Sequence, residues 1–94
     1  MYYALTYHLC ENYIEKRTAH RSDHFNYIQN YKSKGYFLMG GAFDHQKSAL
    51  IIFTVDDEKI IENFIKDDPY VINGVVTSWH FEKWNMATGD VVLA

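Results

Sequence analysis

Five residues recur at steps of four, three, four and three: Arg17, Arg21, His24, Ile28 and Tyr31. That spacing places all five on one face of a helix. Ile28 and Tyr31 suit a core. The N-terminal half of the same stripe carries two guanidiniums and an imidazole. Three potential cations in a row are costly to bury unless anions or a wet pocket meet them. One reading is an anion-friendly pocket mouth with His24 as an acid/base group. The other turns the stripe to solvent at its N-terminal end and pairs the arginines with surface carboxylates. Spacing leaves both open.

A second constellation is Asp67-Asp68-Pro69-Tyr70-Val71. Pro69 stiffens the turn, and two carboxylates fall where a helix ends. The negative end of a helix dipole disfavours carboxylates, so a cation should compensate. Arg17, Arg21 or His24 could supply it, and a carboxylate on one imidazole nitrogen would select its tautomer and raise its basicity. Alternatively, Asp68 only caps the turn through backbone bonds. Gly40-Gly41 inside a strand marks a bulge or a close backbone approach, with or without a ligand beside it. His20 and His24 stand at the i,i+4 spacing of paired metal ligands, but no glutamate follows His20 and no third ligand is near, so no metal is expected. Cys10 has no cationic sequence neighbour to activate its thiol. Glycine-rich phosphate loops and serine-nucleophile signatures are absent, and no cofactor is expected.

These residues need a frame. Tyr2 to Leu9 reads as a strand, with Tyr2, Ala4, Thr6 and His8 on one face and Tyr3, Leu5, Tyr7 and Leu9 on the other. Tyr13 to Lys34 reads as one main helix, closed by Gly35 after cations in its last turn. Tyr36 to Phe43 and Ser48 to Val55 read as a second and third strand, joined through Asp44-His45-Gln46-Lys47. Asp56 is the expected N-cap of a second helix, whose apolar residues are Ile60, Ile61, Phe64 and Ile65. The helix must stop before Pro69. Gly74 to Trp84 reads as the fourth strand, with Val75, Thr77, Trp79 and Phe81 on one face. The order β-α-β-β-α-β is the ferredoxin-like α+β pattern, a four-stranded antiparallel sheet with two helices on one face. Residues 1–84 are expected to form a single domain and 85–94 a tail.

The chain of 94 residues has 48% hydrophobic residues and a net charge of −3. Such a length fits one domain. The mild acidity argues against nucleic acid, which needs a basic surface. No apolar run reaches the roughly 20 residues that span a bilayer, and no signal peptide precedes the domain, so a cytoplasmic protein without a membrane partner is expected. One cysteine excludes an internal disulfide and a cysteine-based zinc site. Eight Tyr, six Phe and two Trp are a heavy load for one small core. The first and third strands are apolar at consecutive positions, and two helices cover only one sheet face. The expected second cover is another copy, sheet against sheet. Tyr2, Tyr3, Tyr7, Phe37, Phe53, Trp79 and Phe81 would then be shared between the two layers, or some of the tyrosines would instead line the pocket beside His24 with their hydroxyls available for hydrogen bonds.

Several segments together resemble the YciI-like family, built on the YCII-related domain. Glu15 to Phe25 resembles its Arg-x-x-x-Arg-x-x-His helix. Gly35 and then Leu38 to Gly41 resemble its second strand, which ends in small residues. Asp68-Pro69-Tyr70-Val71 with Gly74-Val75 resembles its Asp-Pro-Tyr-Val-x-x-Gly-Val signature, and Trp84 falls where its last strand ends. The resemblance runs over residues 2 to about 84. It departs at Gly41, which Ala42 follows where proline is usual. It implies a dimeric α/β barrel of ferredoxin-like subunits, with His24 and Asp68 as an acid/base pair facing a pocket. A related branch carries dehydrochlorination or lyase-type steps on small aromatic compounds. The pocket reading of the helix stripe is accordingly favoured.

The expected function is cofactor-independent acid/base chemistry, of lyase, dehydrochlorinase or isomerase type, on a small anionic or aromatic substrate. His24 would move the proton and Asp68 would orient the imidazole. Arg17, Arg21, Gly41 and Tyr70 are the expected substrate-binding residues. The alternative is a non-catalytic ligand-binding or interaction domain on the same scaffold. A cofactor-free oxygenase is a third reading.

Overall fold

Strand β1 (Tyr2–Leu9) is the spine of the molecule. The computed structural model describes residues 1–89. β1 pairs antiparallel with both β3 (Ser48–Thr54) and β4 (Val76–Trp84), and β2 (Phe37–Ala42) adds to the far side of β3. The strand order is β2-β3-β1-β4, the ferredoxin-like arrangement expected from the element order. Strand limits differ from expectation by one or two residues, as strand ends commonly do.

Alternation along β1 splits the sheet into two unlike faces. Tyr3, Leu5 and Tyr7 point with Ile51 and Phe53 of β3 into the core beneath the helices. Phe64 centres that core, with the rings of Tyr27, Tyr31, Phe37 and Phe53 at 5.2, 4.9, 6.4 and 5.0 Å. Burying one such ring contributes about 2–3 kcal/mol. Most of the aromatic load is absorbed here. Of the rings expected to be shared, Tyr3, Tyr7, Phe37, Phe53 and Phe81 all belong to the helix side. Trp79 lies there too, in a groove with Ile65 and Phe81. The other face carries Ala4, Leu50 and Ile52, with Met39 and Trp84 about half exposed. The His8 and His80 rings also lie on it, 5.5 Å apart. Ile52 is buried yet stands outside the helix-side core. Tyr2, half-buried on the Ala4 face of β1 opposite Trp84, belongs to this side too, so the case for a second apolar layer rests on these residues and not on Tyr3 or Tyr7.

The expected main helix is two helices, α1 (Tyr13–Arg17) and α2 (Arg21–Ser33). Thr18 accounts for the break. Its hydroxyl donates to the Ile14 carbonyl at 2.8 Å, while its amide and that of His20 turn to the i−3 carbonyls of Glu15 and Arg17. Side-chain back-bonding and tight i−3 bonds unsettle an α-helix at such a point. Arg17 thus stands on a different helix from Arg21 and His24.

Helix α3 (Glu58–Asp67) buries Ile61, Phe64 and Ile65, with Ile60 half-buried. Its N-cap is Asp57, which accepts from the Lys59 amide at 2.9 Å, and not Asp56. Asp56 instead lies 3.9 Å from the N-terminal ammonium. Pro69 ends one helix and begins another: α4 (Pro69–Ile72) was not expected. Proline's fixed φ and missing amide suit the first helical position as well as they prevent an interior one. Gly74, at φ 72°, then turns the chain into β4. Residues 85–89 follow β4 without helix or strand. Residues 90–94 of the expected tail lie outside the described residues.

Candidate active site

Asp68 occupies the joint between α3 and α4 and is fully buried. A buried carboxylate must be saturated with donors. Its Oδ1 accepts from the Tyr70 amide at 3.0 Å and meets His24 Nδ1 at 2.7 Å. Its Oδ2 accepts from the Tyr7 hydroxyl at 2.7 Å. The cap reading and the imidazole-partner reading of Asp68 are both realised by one side chain. Its peptide oxygen also accepts the amides of Val71 and Ile72, at 2.9 and 3.0 Å.

The Tyr7 donor is fixed by chemistry. Burial first, and the Asp68 charge second, push its phenol far above the ordinary value, so it stays protonated. Two donors from elsewhere on Asp68 leave the carboxylate as the acceptor toward His24, so Nδ1 carries the proton of that bond. Nε2 is then the free nitrogen. It has no protein partner among the described residues and is not sealed from solvent. The Tyr70 ring stacks on the imidazole at 3.6 Å and 4°, which holds its plane. Burial raises the Tyr70 phenol, with a contribution from Tyr13, while Arg17 and Arg21 pull it down.

His24 opens on a cavity of about 240 Å³. A dry 150 Å³ cavity holds a benzene ring, so this one has room for a single substituted ring. Leu9, Phe25, Ile28, Phe37, Ala49 and Ile51 form its apolar walls. Arg17 and Arg21 stand in the same lining. The Arg17 guanidinium lies 5.0 Å from the Tyr13 ring centroid and donates to its hydroxyl at 3.3 Å. Arg21 lies 4.9 Å from the Phe25 ring. Neither has a carboxylate partner among the described residues. Aromatic faces orient a guanidinium without consuming its charge. The stripe thus turns to a pocket and not to surface carboxylates, despite the helix break.

All six residues singled out in the sequence, His24, Asp68, Arg17, Arg21, Gly41 and Tyr70, come to this one place. Gly41 is the weakest of them. It borders the cavity, but a Cβ there would meet nothing within 4 Å. Its neighbour Gly40 is the tight position, where a Cβ would stand 3.0 Å from Ile51 Cγ1 and Phe37 Cζ. A register shift between Phe37 and Met39 turns Gly40 toward the helix side. Tyrosines beside His24 were expected, without specifying which; they are Tyr7 and Tyr13, and Phe25 was not singled out. Tyr7 left a trace in the sequence: a hydroxyl in the core-facing set of β1, where phenylalanine would pack as well. His20 stands at the N-cap position of α2 without a side-chain cap bond, and His24 is bonded to Asp68. No three His, Cys, Asp or Glu side chains converge among the described residues, nor is any described helix long and apolar enough to cross a membrane.

The fold recurs in solved structures. A 5-chloro-2-hydroxyhydroquinone dehydrochlorinase from Burkholderia phenoliruptrix, in complex with 2,5-dihydroxybenzoquinone, superposes with a TM-score of 0.78 at 16% identity. The match covers 93% of this chain and 96% of that one. Protein Atu4242 from Agrobacterium tumefaciens superposes with a TM-score of 0.60 at 13% identity, over 93% and 94% of the two chains. No curated protein matches. The model of the YCII-related domain matches residues 1–85, so the chain belongs to the YCII-related domain family.

Proposed function

We propose that the protein is a small enzyme that moves protons without a cofactor. The observation that carries this reading is the buried Tyr7–Asp68–His24 chain, whose last free nitrogen opens on a cavity. Asp68 holds His24 in the Nδ1–H form, so Nε2 offers its lone pair as a general base and can return the proton as a general acid. A substrate C–H or O–H beside Nε2 would lose its proton there. Elimination of a leaving group, or reprotonation at a second atom, would complete a lyase or isomerase step.

The ligand is a small anionic or aromatic molecule. Arg17 and Arg21 hold its anionic group or stabilise charge that develops on it, since a guanidinium suits carboxylate and phenolate oxygens. Tyr70 contributes a stacking wall next to the imidazole. Gly41 and Ala42 border the cavity on the β2 side. The neighbouring fold of a dehydrochlorinase that binds a dihydroxybenzoquinone supports chemistry of this class.

The uncovered sheet face fits a second copy of the chain. Met39 and Trp84 stand 52% and 46% exposed beside Leu50 and Ile52, an apolar patch that a monomer would leave wet. Sheet-to-sheet pairing would produce the dimeric barrel.

The test is solvent deuterium exchange. A panel of single-ring phenols, aryl carboxylates and short aliphatic carboxylates is incubated in D2O with the protein and with its His24→Asn variant. Incorporation or elimination that disappears with His24 supports the reading. Turnover that survives the substitution refutes it. Binding by the whole panel without any exchange would assign a non-catalytic binding domain.

A further inference from the structure

We propose that Tyr7 is a positioning residue of this site, which sets the strength and direction of the Asp68–His24 bond from beneath. The inference rests on the proposed function, because it assigns a role within the same proton path.

Tyr7 sits on the core face of β1, two residues from Leu5, and is 2% exposed. Its ring packs where a phenylalanine would pack equally well. A hydroxyl buried there without a partner would cost a few kcal/mol, so packing does not call for it. Its one partner is Asp68 Oδ2 at 2.7 Å, which lies on the carboxylate oxygen opposite the one that meets His24. Two consequences follow. The donor pins the carboxylate plane, so that Oδ1 stays on Nδ1 and the free Nε2 stays aimed at the cavity. It also draws charge toward Oδ2, which weakens the pull of Oδ1 on the imidazole proton. Tyr7 thereby moderates the basicity that Asp68 confers.

The other groups facing the imidazole act differently. Arg17 and Tyr13 come from α1, Arg21 from α2, and Tyr70 stacks on the ring from α4. Tyr70 also gives its amide to Oδ1. None of their side chains reaches the Asp68 carboxylate among the described residues. Tyr7 also lines the cavity, but it is the side chain whose hydrogen bond reaches the imidazole through the carboxylate.

The experiment is 15N–1H NMR of the His24 ring across pH on the full chain. Three forms are compared with the unmodified protein: Tyr7→Phe, Tyr7 replaced by 3-fluorotyrosine, and Asp68→Asn. Removing the hydroxyl should move the His24 titration midpoint up and its Nδ1–H proton further downfield. The fluorinated ring is a stronger donor of the same shape, so it should move both the other way. Asp68→Asn should move the midpoint down, because the carboxylate charge beside the imidazole is lost. If Asp68→Asn shifts His24 and the two Tyr7 forms do not order around the unmodified protein, Tyr7 is only a structural anchor and this inference fails alone. If Asp68→Asn leaves His24 unmoved, the proton path fails as well. Should Tyr7→Phe not fold, the fluorotyrosine form decides, since it keeps every contact.

Discussion

Replacing Asp68 by alanine should be among the most damaging single changes in this protein, and asparagine should be far milder. Alanine strips three interactions at once. The Tyr70 amide loses its cap, worth about 1 kcal/mol. The Tyr7 hydroxyl is left buried with no acceptor, at a cost of about 1–3 kcal/mol. His24 Nδ1 loses its partner in a ring only 8% exposed, which costs a similar amount unless water enters from the cavity. Water entry and non-additivity bring the expected loss to about 3–5 kcal/mol. A domain of this size holds about 5–15 kcal/mol in total. The melting temperature should fall by about 15–30 °C. Asparagine keeps a carbonyl for Tyr70 and His24 and can donate its amide to the Tyr7 oxygen, which accepts as readily as it donates. Only the charge is lost, so about 1–2 kcal/mol is expected. Urea unfolding followed by intrinsic fluorescence, at matched protein concentrations, measures both. If alanine and asparagine cost the same, or alanine costs under about 1 kcal/mol, the carboxylate is not the joint on which these elements depend.

Four further outcomes are expected. Stability should fall in alkali. Burial and then Asp68 raise the Tyr7 phenol above its ordinary 10.0, so its contribution is complete below pH 10 and is lost as pH rises beyond it. The slope is about 1.4 kcal/mol per pH unit for each such phenol, and Tyr7→Phe should flatten it in denaturant titrations. Gly40→Val should cost about 1–3 kcal/mol by crowding Ile51 and Phe37, whereas Gly41→Ala should leave the midpoint of unfolding within error. Arg17→Gln and Arg21→Gln should each weaken benzoate binding several-fold in NMR titrations, more at low salt, while a neutral ring of the same size is little affected. Sedimentation should show a dimer at micromolar concentration that Leu50→Lys disperses; a clean 11.1 kDa species would exclude the sheet-to-sheet pairing.

Periodicity made much of this molecule legible. Alternation in β1, the 3.6-residue spacing of Ile61, Phe64 and Ile65, and the turn signals between strands were enough for the element order and hence the topology. The helix break at Thr18 was not legible, because a helix-compatible stripe runs straight across it. Only the backbone bonds show that Arg17 belongs to a separate turn. Helix α4 was hidden for a related reason: Pro69 reads as a stop, and whether a proline also starts a helix depends on a cap that tertiary packing holds in place.

The candidate site divides in the same way. Residue type and spacing marked Arg17, Arg21, His24 and Asp68 as candidates but left their role open between pocket and surface; the family resemblance favoured the pocket, paired His24 with Asp68 and added Tyr70. Their meeting is a fact of three dimensions. His24 and Asp68 lie 44 residues apart, and Tyr7 lies 61 from Asp68. Contacts that distant depend on sheet order and on how two helices settle over one face. Gly40 rather than Gly41 is the tight position because a bulge in β2 shifts the register by one. Local pattern determined which residues could take part and on which element each stands. Tertiary packing decided which nitrogen of His24 is held and which is free, because that depends on a buried carboxylate brought in from the far end of the chain.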